Sequence, residues 1–272
     1  MKTRIIVGAL LTAFLLFVLF TGGYVFLTVI ALFSMAAVYE MGLALKAKGY
    51  RPNLIPAYAF AAAFPYAYEL FGLLALAALY VLGVSAAMIL SLFDRAHDGG
   101  NAITSLFVFV YPLLFFMCVL LVFDFTATEK VGLTGSFLAF VCPELCDAAA
   151  YFGGTFFGKR KLCPALSPKK TVEGSVAAVV GGVLFGALLI PMQKLWGAVV
   201  CPGLLLTLGL FAGVFSQFGD LFASSLKRWA GIKDFSSIFP GHGGILDRLD
   251  SILLCTPPVL IVFSILIQAG IY

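Results

Sequence analysis

The residues with the clearest chemical potential are charged groups that interrupt apolar sequence. Glu144 and Asp147 lie three residues apart, so a helix would place them on one face. They follow Pro143, which can loosen a helix and free backbone groups. Because charge in apolar surroundings is costly and usually functional, we interpret the pair as part of a site. A paired interior polar patch is the alternative.

A second polar cluster is spaced as one stripe along a helix. Its members lie three or four residues from one another and are Gln217, Asp220, Ser224, Lys227 and Arg228. An acid followed by two cations suits a metal-bound phosphate. Snorkelling of Lys227 and Arg228 at a helix end is the alternative, but it leaves Asp220 unexplained.

A third cluster combines a glycine-rich turn with acids at the start of a helix. The run P-G-H-G-G ends at Gly244 and precedes Asp247, Arg248 and Asp250. Glycines expose backbone N–H groups, and a helix start concentrates unpaired donors, so a phosphate can approach there. Asp247 and Asp250 share a face and offer hard oxygen ligands to Mg²⁺. His242 is either a turn residue or a catalytic base.

A basic segment, S-P-K-K-T-V-E-G, runs from Ser167 to Gly174. Lys169 and Lys170 are point charges that could clamp a triphosphate. An ordinary cationic anchor beside a membrane helix explains the same two residues.

The elements that carry these clusters must be membrane helices. Of the 272 residues, 62% are hydrophobic and 11% charged, which excludes a soluble protein. A net charge of +4 without an arginine-rich stretch gives no indication of a nucleic-acid partner. The six cysteines lack the spacing of a disulfide scaffold, and packing explains Cys142 and Cys146 better than a zinc site.

Apolar stretches long enough to cross a bilayer predict an all-α integral membrane protein with about nine spans. The spans are 5–20, 24–40, 54–71, 72–93, 102–123, 132–155, 174–193, 199–224 and 251–270. A signal peptide is the alternative for the first span. We expect a single polytopic membrane domain over residues 1–272, with N-terminal helices in 1–131 and catalytic helices and loops in 132–272.

The distribution of lysine and arginine predicts the orientation. With a cytoplasmic N-terminus, fifteen of the seventeen basic residues fall in cytoplasmic segments, and only Lys130 and Lys194 do not. The two longest polar loops, residues 156–173 and 225–250, then also lie on the cytoplasmic side. We therefore expect a multi-pass protein of the cell membrane with cytoplasmic catalytic loops.

The C-terminal motifs resemble those of the phosphatidate cytidylyltransferases, also called CDP-diacylglycerol synthases. The family signature reads S-x-hydrophobic-K-R, four residues, K-D, and then H-G-G-x-x-D-R-x-D. The matching residues are Ser224, Leu226, Lys227, Arg228, Lys233, Asp234, Ser236, Phe239, Pro240, His242, Gly243, Gly244, Asp247, Arg248 and Asp250. Gly219, Asp220, Asp147, Ala150, Tyr151, Gly158, Lys159 and the S-P-K-K-T-V-E-G segment resemble the family too. Ala148 and Ala149 depart from it, since a hydroxyl residue and glycine are common there.

The resemblance implies the reaction of CTP with phosphatidate to CDP-diacylglycerol and pyrophosphate. It implies Asp220 and Asp247 as ligands of a catalytic Mg²⁺, with K⁺ as a candidate second ion, and Ser224, Lys227 and Lys233 along the nucleotide site. We expect Asp220, Asp247, Lys227 and Lys233 to be catalytic and Asp250 to be a further metal ligand. The expected substrate-binding residues are Ser224, Arg228, His242, Gly243, Gly244, Arg248, Lys169, Lys170 and Asp147.

Two other functions remain open at this point. A CTP-dependent polyprenol kinase would need the same groups but would transfer the γ-phosphate and release CDP. A transporter would explain acids within membrane helices, although no repeated halves are found in the sequence. The sequence does not decide between a monomer and a homodimer.

Overall fold

Helices account for almost all of the regular structure. The computed structural model describes residues 2–93, 98–128, 131, 133–239, 241 and 243–269. The α-helices are α1 (Lys2–Thr21), α2 (Gly23–Ala47), α3 (Ile55–Leu92), α4 (Gly99–Val108), α5 (Leu114–Thr128), α6 (Thr134–Ser136), α7 (Cys142–Phe157), α8 (Val172–Met192), α9 (Pro202–Ala230) and α10 (Leu246–Ala269). π-Helical turns at Phe109–Leu113 and Phe137–Val141 join α4 to α5 and α6 to α7, and a 3₁₀ turn at Gln193–Trp196 follows α8.

Seven helical segments among the described residues are long and apolar enough to cross a membrane. They are Gly23–Ala47, Ile55–Leu92, Gly99–Phe125, Thr134–Phe157, Val172–Trp196, Pro202–Ala230 and Leu246–Leu266, and a shorter apolar helix covers Leu10–Thr21. The predicted all-α membrane fold is confirmed. The count of nine spans and the cytoplasmic N-terminus stay predictions.

Helix α3 consists of two arms that fold back on each other. Gly72 has φ 76° and ψ −169°, a conformation that glycine adopts without a steric penalty. The rings of Phe60 and Tyr80, one in each arm, have centroids 5.6 Å apart. A straight helix would separate these residues by about 30 Å. The arms correspond to the third and fourth predicted spans, and the predicted boundary at Gly72 is confirmed.

The chain divides into two compact units, and each combines two stretches of sequence. The first unit contains Met1–Leu120 and Leu226–Arg248, and the second contains Leu121–Ser225 and Leu249–Tyr272. The last turn of α9 and the first turn of α10 therefore belong to the first unit. The predicted division into residues 1–131 and 132–272 stays a prediction.

Small residues allow the helices of the second unit to approach closely. A Cβ added at Gly182 of α8 would collide with the carbonyl oxygen of Gly209 in α9, and the reverse is also true. Gln217 of α9 strengthens this contact, because its Nε2 donates to the Ser175 carbonyl oxygen at 3.2 Å. Such packing is typical of membrane helices, where small residues let backbones meet. This packing holds α8 against α9. Helix α9 carries Asp220, and α8 begins with the last residues of the basic segment.

A short β-hairpin interrupts the helical pattern between α7 and α8. Strand β1 (Lys161–Cys163) pairs antiparallel with β2 (Ser167–Thr171), with Lys161 opposite Thr171. The hairpin lies within the predicted polar loop 156–173 and contains most of the S-P-K-K-T-V-E-G segment. It gives the two lysines of that segment a defined backbone rather than a flexible loop.

Candidate active site

The expected site residues form two clusters, one in each unit. The turn cluster, in the first unit, comprises Lys227, Phe235, Gly243, Gly244 and Asp247. The hairpin cluster, in the second unit, comprises Asp147, Lys170, Asp220, Ser224 and Ser251.

The glycine-rich turn of the first unit requires glycine for two reasons. Phe239 N donates to the Gly243 carbonyl oxygen at 2.9 Å, which closes the turn. Gly243 has φ 82°, in the left-handed region that favours glycine. A Cβ at Gly243 would also lie 2.6 Å from Asp247 Oδ2. The turn and the carboxylate are therefore packed directly against each other.

Asp247, in the first turn of α10, accepts three hydrogen bonds. Its Oδ1 accepts from Lys227 Nζ at 2.6 Å, and its Oδ2 accepts from the backbone N–H groups of Phe235 and Gly244, both at 2.9 Å. A carboxylate offers about four acceptor positions, so about one remains for another ligand. Asp247 thus links the end of α9, the following loop and the start of α10.

Lys227 is a buried cation with two partners. Besides Asp247, its Nζ lies 5.4 Å from the centroid of the Phe235 ring. The side chains of Lys227 and Asp247 are 11% and 4% exposed. Each buried ion costs several kcal/mol of lost hydration, which the ion pair and its hydrogen bonds offset. A charged pair kept at this cost in a membrane protein is a candidate for function.

Glu40 of α2 joins this region, although sequence reasoning did not select it. It is fully buried, and Oε1 accepts from Ser236 Oγ at 2.6 Å and from Ile245 N at 2.8 Å. Its Oε2 accepts from Leu246 N at 2.7 Å. The predicted second span ended at residue 40, so Glu40 was treated as the end of a helix. In the structure α2 continues to Ala47, and an acid inside such a helix is the signal that could have identified it.

The backbone donors at the start of α10 are engaged within the protein. Gly244 N donates to Asp247, while Ile245 N and Leu246 N donate to Glu40. The sequence predicted a phosphate at these amides. Contact of Gly243 and Gly244 with substrate stays a prediction. Contact through the Gly244 amide would require its bond to Asp247 to open. Cationic side chains are better placed to bind a phosphate.

Three further cations of the first unit lie at its surface. Lys233, Arg228 and Arg248 are exposed, and Arg228 Nη1 donates to the Ile232 carbonyl oxygen at 3.2 Å. An exposed cation can reorient towards an anionic ligand because it gives up little existing contact. His242 lies outside the described residues.

In the second unit, Thr171 fixes the basic segment to the helices beside it. Its Oγ1 accepts from Gly174 N at 3.1 Å and so caps the start of α8. Helix α7 approaches the same oxygen so closely that a Cβ at Gly154 would lie 2.9 Å from it. Because Thr171 is held on both sides, the neighbouring Lys170 has a defined position.

Lys170 and Asp220 form the centre of the hairpin cluster. Lys170 Nζ lies 2.6 Å from Asp220 Oδ2, and Ser224 Oγ donates to Asp220 Oδ1 at 3.2 Å. The Nζ atom itself is buried, and it makes no aligned hydrogen bond to any part of the chain that the structure describes. An ammonium group has three donors, so Lys170 retains donors for an anionic ligand. The spacing of four residues predicted that Asp220 and Ser224 lie on one helical face, and this placement is confirmed.

Besides Asp220, two acids of the second unit form hydrogen bonds with Ser251. Asp147 of α7 accepts from Ser251 Oγ at 2.9 Å and lies in electrostatic range of Asp220 and Lys170. Asp250 of α10 is buried, and its Oδ1 accepts from Ser251 N at 2.8 Å. The second unit therefore brings together Asp147, Lys170 and Asp220 from three separate segments.

Other predicted residues lie towards the surface. Glu144 and Lys169 are exposed, whereas Asp147 and Lys170 beside them are partly buried. Cys142 and Cys146 are buried with their sulfurs 3.9 Å apart, and both are free thiols, as expected for packed cysteines. Asp147 and Lys170 make the contacts described above for the hairpin cluster.

The donor chemistry of these residues fits a hard divalent cation. The described residues contain no group of three or more His, Cys, Asp and Glu side chains gathered as a metal site. Mg²⁺, however, is commonly bound by one or two carboxylates together with substrate phosphates. Asp220 accepts one hydrogen bond and one ion pair, and Asp247 has about one acceptor position left. Both carboxylates can therefore serve as ligands.

Comparison with known proteins shows similarity along the chain. The sequence model of the cytidylyltransferase family matches residues 2–266. A phosphatidate cytidylyltransferase of Bacillus subtilis (strain 168) is 43% identical over 142 residues, which cover 52% of this chain and 51% of that protein. A protein of the same name from Staphylococcus aureus (strain COL) is 41% identical over 135 residues, which cover 49% of this chain and 50% of that protein.

A third relative comes from another bacterium. The phosphatidate cytidylyltransferase of Synechocystis sp. (strain ATCC 27184 / PCC 6803 / Kazusa) is 43% identical over 133 residues, or 47% of this chain and 42% of that protein. The chain spans about half the length of the curated relatives it matches.

Proposed function

We propose that this chain, which belongs to the cytidylyltransferase family, is a phosphatidate cytidylyltransferase that makes CDP-diacylglycerol and pyrophosphate from CTP and phosphatidate. The names of its relatives support this substrate pair. So do two clusters of lysines and carboxylates, one buried and one partly buried, in a multi-pass membrane protein.

The proposed reaction is an in-line displacement at phosphorus. A phosphate oxygen of phosphatidate attacks the α-phosphorus of CTP, and a new P–O–P bond forms. The bond between the α-phosphorus and the oxygen that bridges to the β-phosphorus breaks, and pyrophosphate leaves with that electron pair. A phosphomonoester is largely ionised near neutral pH, so no strong general base is needed. The site must instead neutralise and orient phosphates.

Lys170 is the observation that carries the proposal. A buried ammonium that retains donors is costly unless an anion completes its contacts. Its ion pair with Asp220 keeps it in position in the absence of substrate. We assign Lys170 and the exposed Lys169 to the phosphates of CTP, with Ser224 and Asp147 along the same substrate site.

The turn cluster supplies the second set of charges. We assign Lys227 and Lys233 to the charge that develops on the transferred and departing phosphates. Arg228 and Arg248 are exposed cations that can bind phosphate oxygens by paired hydrogen bonds. Asp247 holds Lys227 in a fixed position, so this charge is oriented before substrate binds. We keep His242, Gly243 and Gly244 as candidates for substrate contact.

The proposed metal is Mg²⁺, bound in part by phosphate oxygens, and Asp220, Asp247 and Asp250 are each candidate ligands. When bound, it would supply positive charge that stabilises the triphosphate and the leaving pyrophosphate. K⁺ is a second candidate ion. The hard oxygen donors of these three residues support the assignment.

The membrane setting suits a lipid substrate. The acyl chains of phosphatidate remain in the bilayer while its phosphate meets CTP from the aqueous side. The lysine and arginine distribution supports a cytoplasmic location for the polar loops and a cytoplasmic N-terminus. We propose the cell membrane as the location. The reaction needs no nucleic acid and is compatible with a monomer or a homodimer.

The test is pyrophosphate release by the purified protein in detergent, with CTP, Mg²⁺ and phosphatidate. Diacylglycerol replaces phosphatidate in the control, because it has the same acyl chains but no phosphate nucleophile. We expect pyrophosphate only with phosphatidate. Release of CDP would indicate a lipid kinase, and absence of turnover over a range of lipids and metals would favour a transporter.

A further inference from the structure

We propose that Glu40 is a positioning residue that holds the glycine-rich turn and the start of α10 in the arrangement that catalysis requires. This inference rests on the proposed function, because the residues it orients are Asp247 and Lys227. Glu40 lies in α2, far along the chain from the partners of its carboxylate, Ser236, Ile245 and Leu246. It therefore links α2 to the catalytic segment within the first unit.

The shape of the contact requires a carboxylate. Both oxygens of Glu40 accept from backbone N–H groups, Oε1 from Ile245 and Oε2 from Leu246. A glutamine would place an NH₂ group against one of these donors and lose that bond. The negative charge also lies at the N-terminus of α10, where the helix dipole favours it.

Gly244 makes room for this carboxylate. A Cβ at Gly244 would collide with the Oε1, Cδ and Oε2 atoms of Glu40. The last glycine of the turn, Gly244, is thus explained by a contact within the protein, whereas the sequence alone suggests an approaching phosphate. Gly244 and Glu40 form a matched pair.

The effect of Glu40 extends to Asp247 through consecutive amides. Gly244 N donates to Asp247, and the next two amides donate to Glu40. If Glu40 releases Ile245 and Leu246, the segment that aligns Gly244 with Asp247 loses its support. Asp247 then holds Lys227 less firmly, and the transition state loses charge that was oriented in advance.

The primary test compares Glu40→Gln with Glu69→Gln. Glu69 is an exposed carboxylate of α3, so the control makes the same chemical change away from the turn. We expect Glu40→Gln to lower kcat by at least about tenfold, with the KM for CTP changed by less than about threefold. Glu69→Gln should retain wild-type kinetics. Thermal unfolding in detergent shows whether each variant is folded.

A second readout does not depend on activity. In hydrogen–deuterium exchange, the amides of Ile245 and Leu246 should exchange at least about tenfold faster in Glu40→Gln than in Glu69→Gln. Faster exchange with unchanged kcat would overturn the positioning role and leave only a structural cap. Unchanged exchange would overturn the contact itself.

The pair with Gly244 supplies a third test. Gly244→Ala should lower kcat because its Cβ would collide with Glu40. Glu40→Ala should lower kcat because the hydrogen bonds from Ile245 and Leu246 are lost. In the double variant the collision no longer exists, so its kcat should be no lower than that of Glu40→Ala. If the fold-reduction of kcat in the double variant equalled the product of the two single reductions, the pairing of Glu40 with Gly244 would be overturned.

The outcomes separate this inference from the proposed function. If the wild-type protein released no pyrophosphate, the proposed function would fail, and the exchange data would still report whether Glu40 holds the turn. If the wild-type protein turned over and Glu40→Gln matched it, only the positioning role would fail.

Discussion

Lys227 Nζ lies 2.6 Å from Asp247 Oδ1, and both side chains are buried. The pair connects the last turn of α9 with the first turn of α10, and the backbone of the intervening loop donates to the same carboxylate. This single contact therefore combines a structural role in the loop with a proposed role in phosphate chemistry.

Asp247→Asn should reduce turnover by at least about a hundredfold, because the amide neither balances the charge of Lys227 nor serves as a strong metal ligand. It should also lower the free energy of unfolding, by up to about 3–5 kcal/mol, because Lys227 is left as a buried unpaired charge. Initial rates and thermal unfolding measure the two effects. Lys227→Met in the same protein should recover stability without recovering turnover. Wild-type activity in Asp247→Asn would contradict the assignment.

Asp220→Asn should abolish turnover while the protein remains folded. Asp220 is partly exposed, but the Nζ atom of its partner Lys170 is buried, so loss of the negative charge should lower the free energy of unfolding by about 1–3 kcal/mol. The measurement is the initial rate over a range of Mg²⁺ concentrations, next to a melting curve. An Asn variant as active as the wild type would exclude Asp220 as a metal ligand.

Lys170→Met should raise the KM for CTP by at least about tenfold, because a cation for the triphosphate is lost while the aliphatic stem remains. Lys161→Met is the matched control, since Lys161 is an exposed lysine of the same hairpin. Steady-state kinetics with varied CTP separate the two variants. Equal KM values for both would show that Lys170 does not contact the nucleotide.

Thr171→Val should act on CTP binding through Lys170. The substitution keeps the shape of the side chain but removes the cap of α8, with a loss of about 0.5–2 kcal/mol in stability. We expect a higher KM for CTP and a lower melting temperature. Thr155→Val on α7 is the control, because the Thr155 hydroxyl donates to the Tyr151 carbonyl oxygen of its own helix at 2.7 Å. An unchanged KM in Thr171→Val would exclude this positioning.

The predicted orientation can be tested with the exposed Cys201, which precedes α9. In a variant that retains this cysteine alone, a membrane-impermeant maleimide should label intact cells, because Cys201 lies at the start of the predicted span 199–224, the end of that span predicted to face outwards. A single cysteine at position 161 should be labelled only after permeabilisation. The reverse pattern would contradict a cytoplasmic hairpin.

Local spacing was enough to predict some of these features. The break at Gly72 follows from a glycine between two apolar stretches, and the hydrogen bond from Ser224 to Asp220 follows from helical spacing of four. The pairing of Lys170 with Asp220 was not predicted, since the two residues belong to different elements. Each had nevertheless been identified as a site residue by its type and surroundings.

Glu40 shows what local patterns could not supply. Its hydroxyl partner, Ser236, is 196 positions away in the sequence, so no spacing rule relates the two residues. The β-hairpin was missed because its strands are short and the second contains Pro168, which weakens any strand pattern. Gly244 was assigned to a phosphate because a glycine that accommodates a carboxylate and one that accommodates a ligand have the same sequence signature.

The most direct test of the account follows the α-phosphate of CTP. The purified protein is given phosphatidate and Mg²⁺ with CTP radiolabelled at either the α- or the γ-phosphate, and the lipid is then extracted. The account predicts label in the lipid from the α-position only, with the γ-label recovered in water-soluble pyrophosphate. Lipid labelled from the γ-position would contradict cytidylyl transfer and identify a kinase.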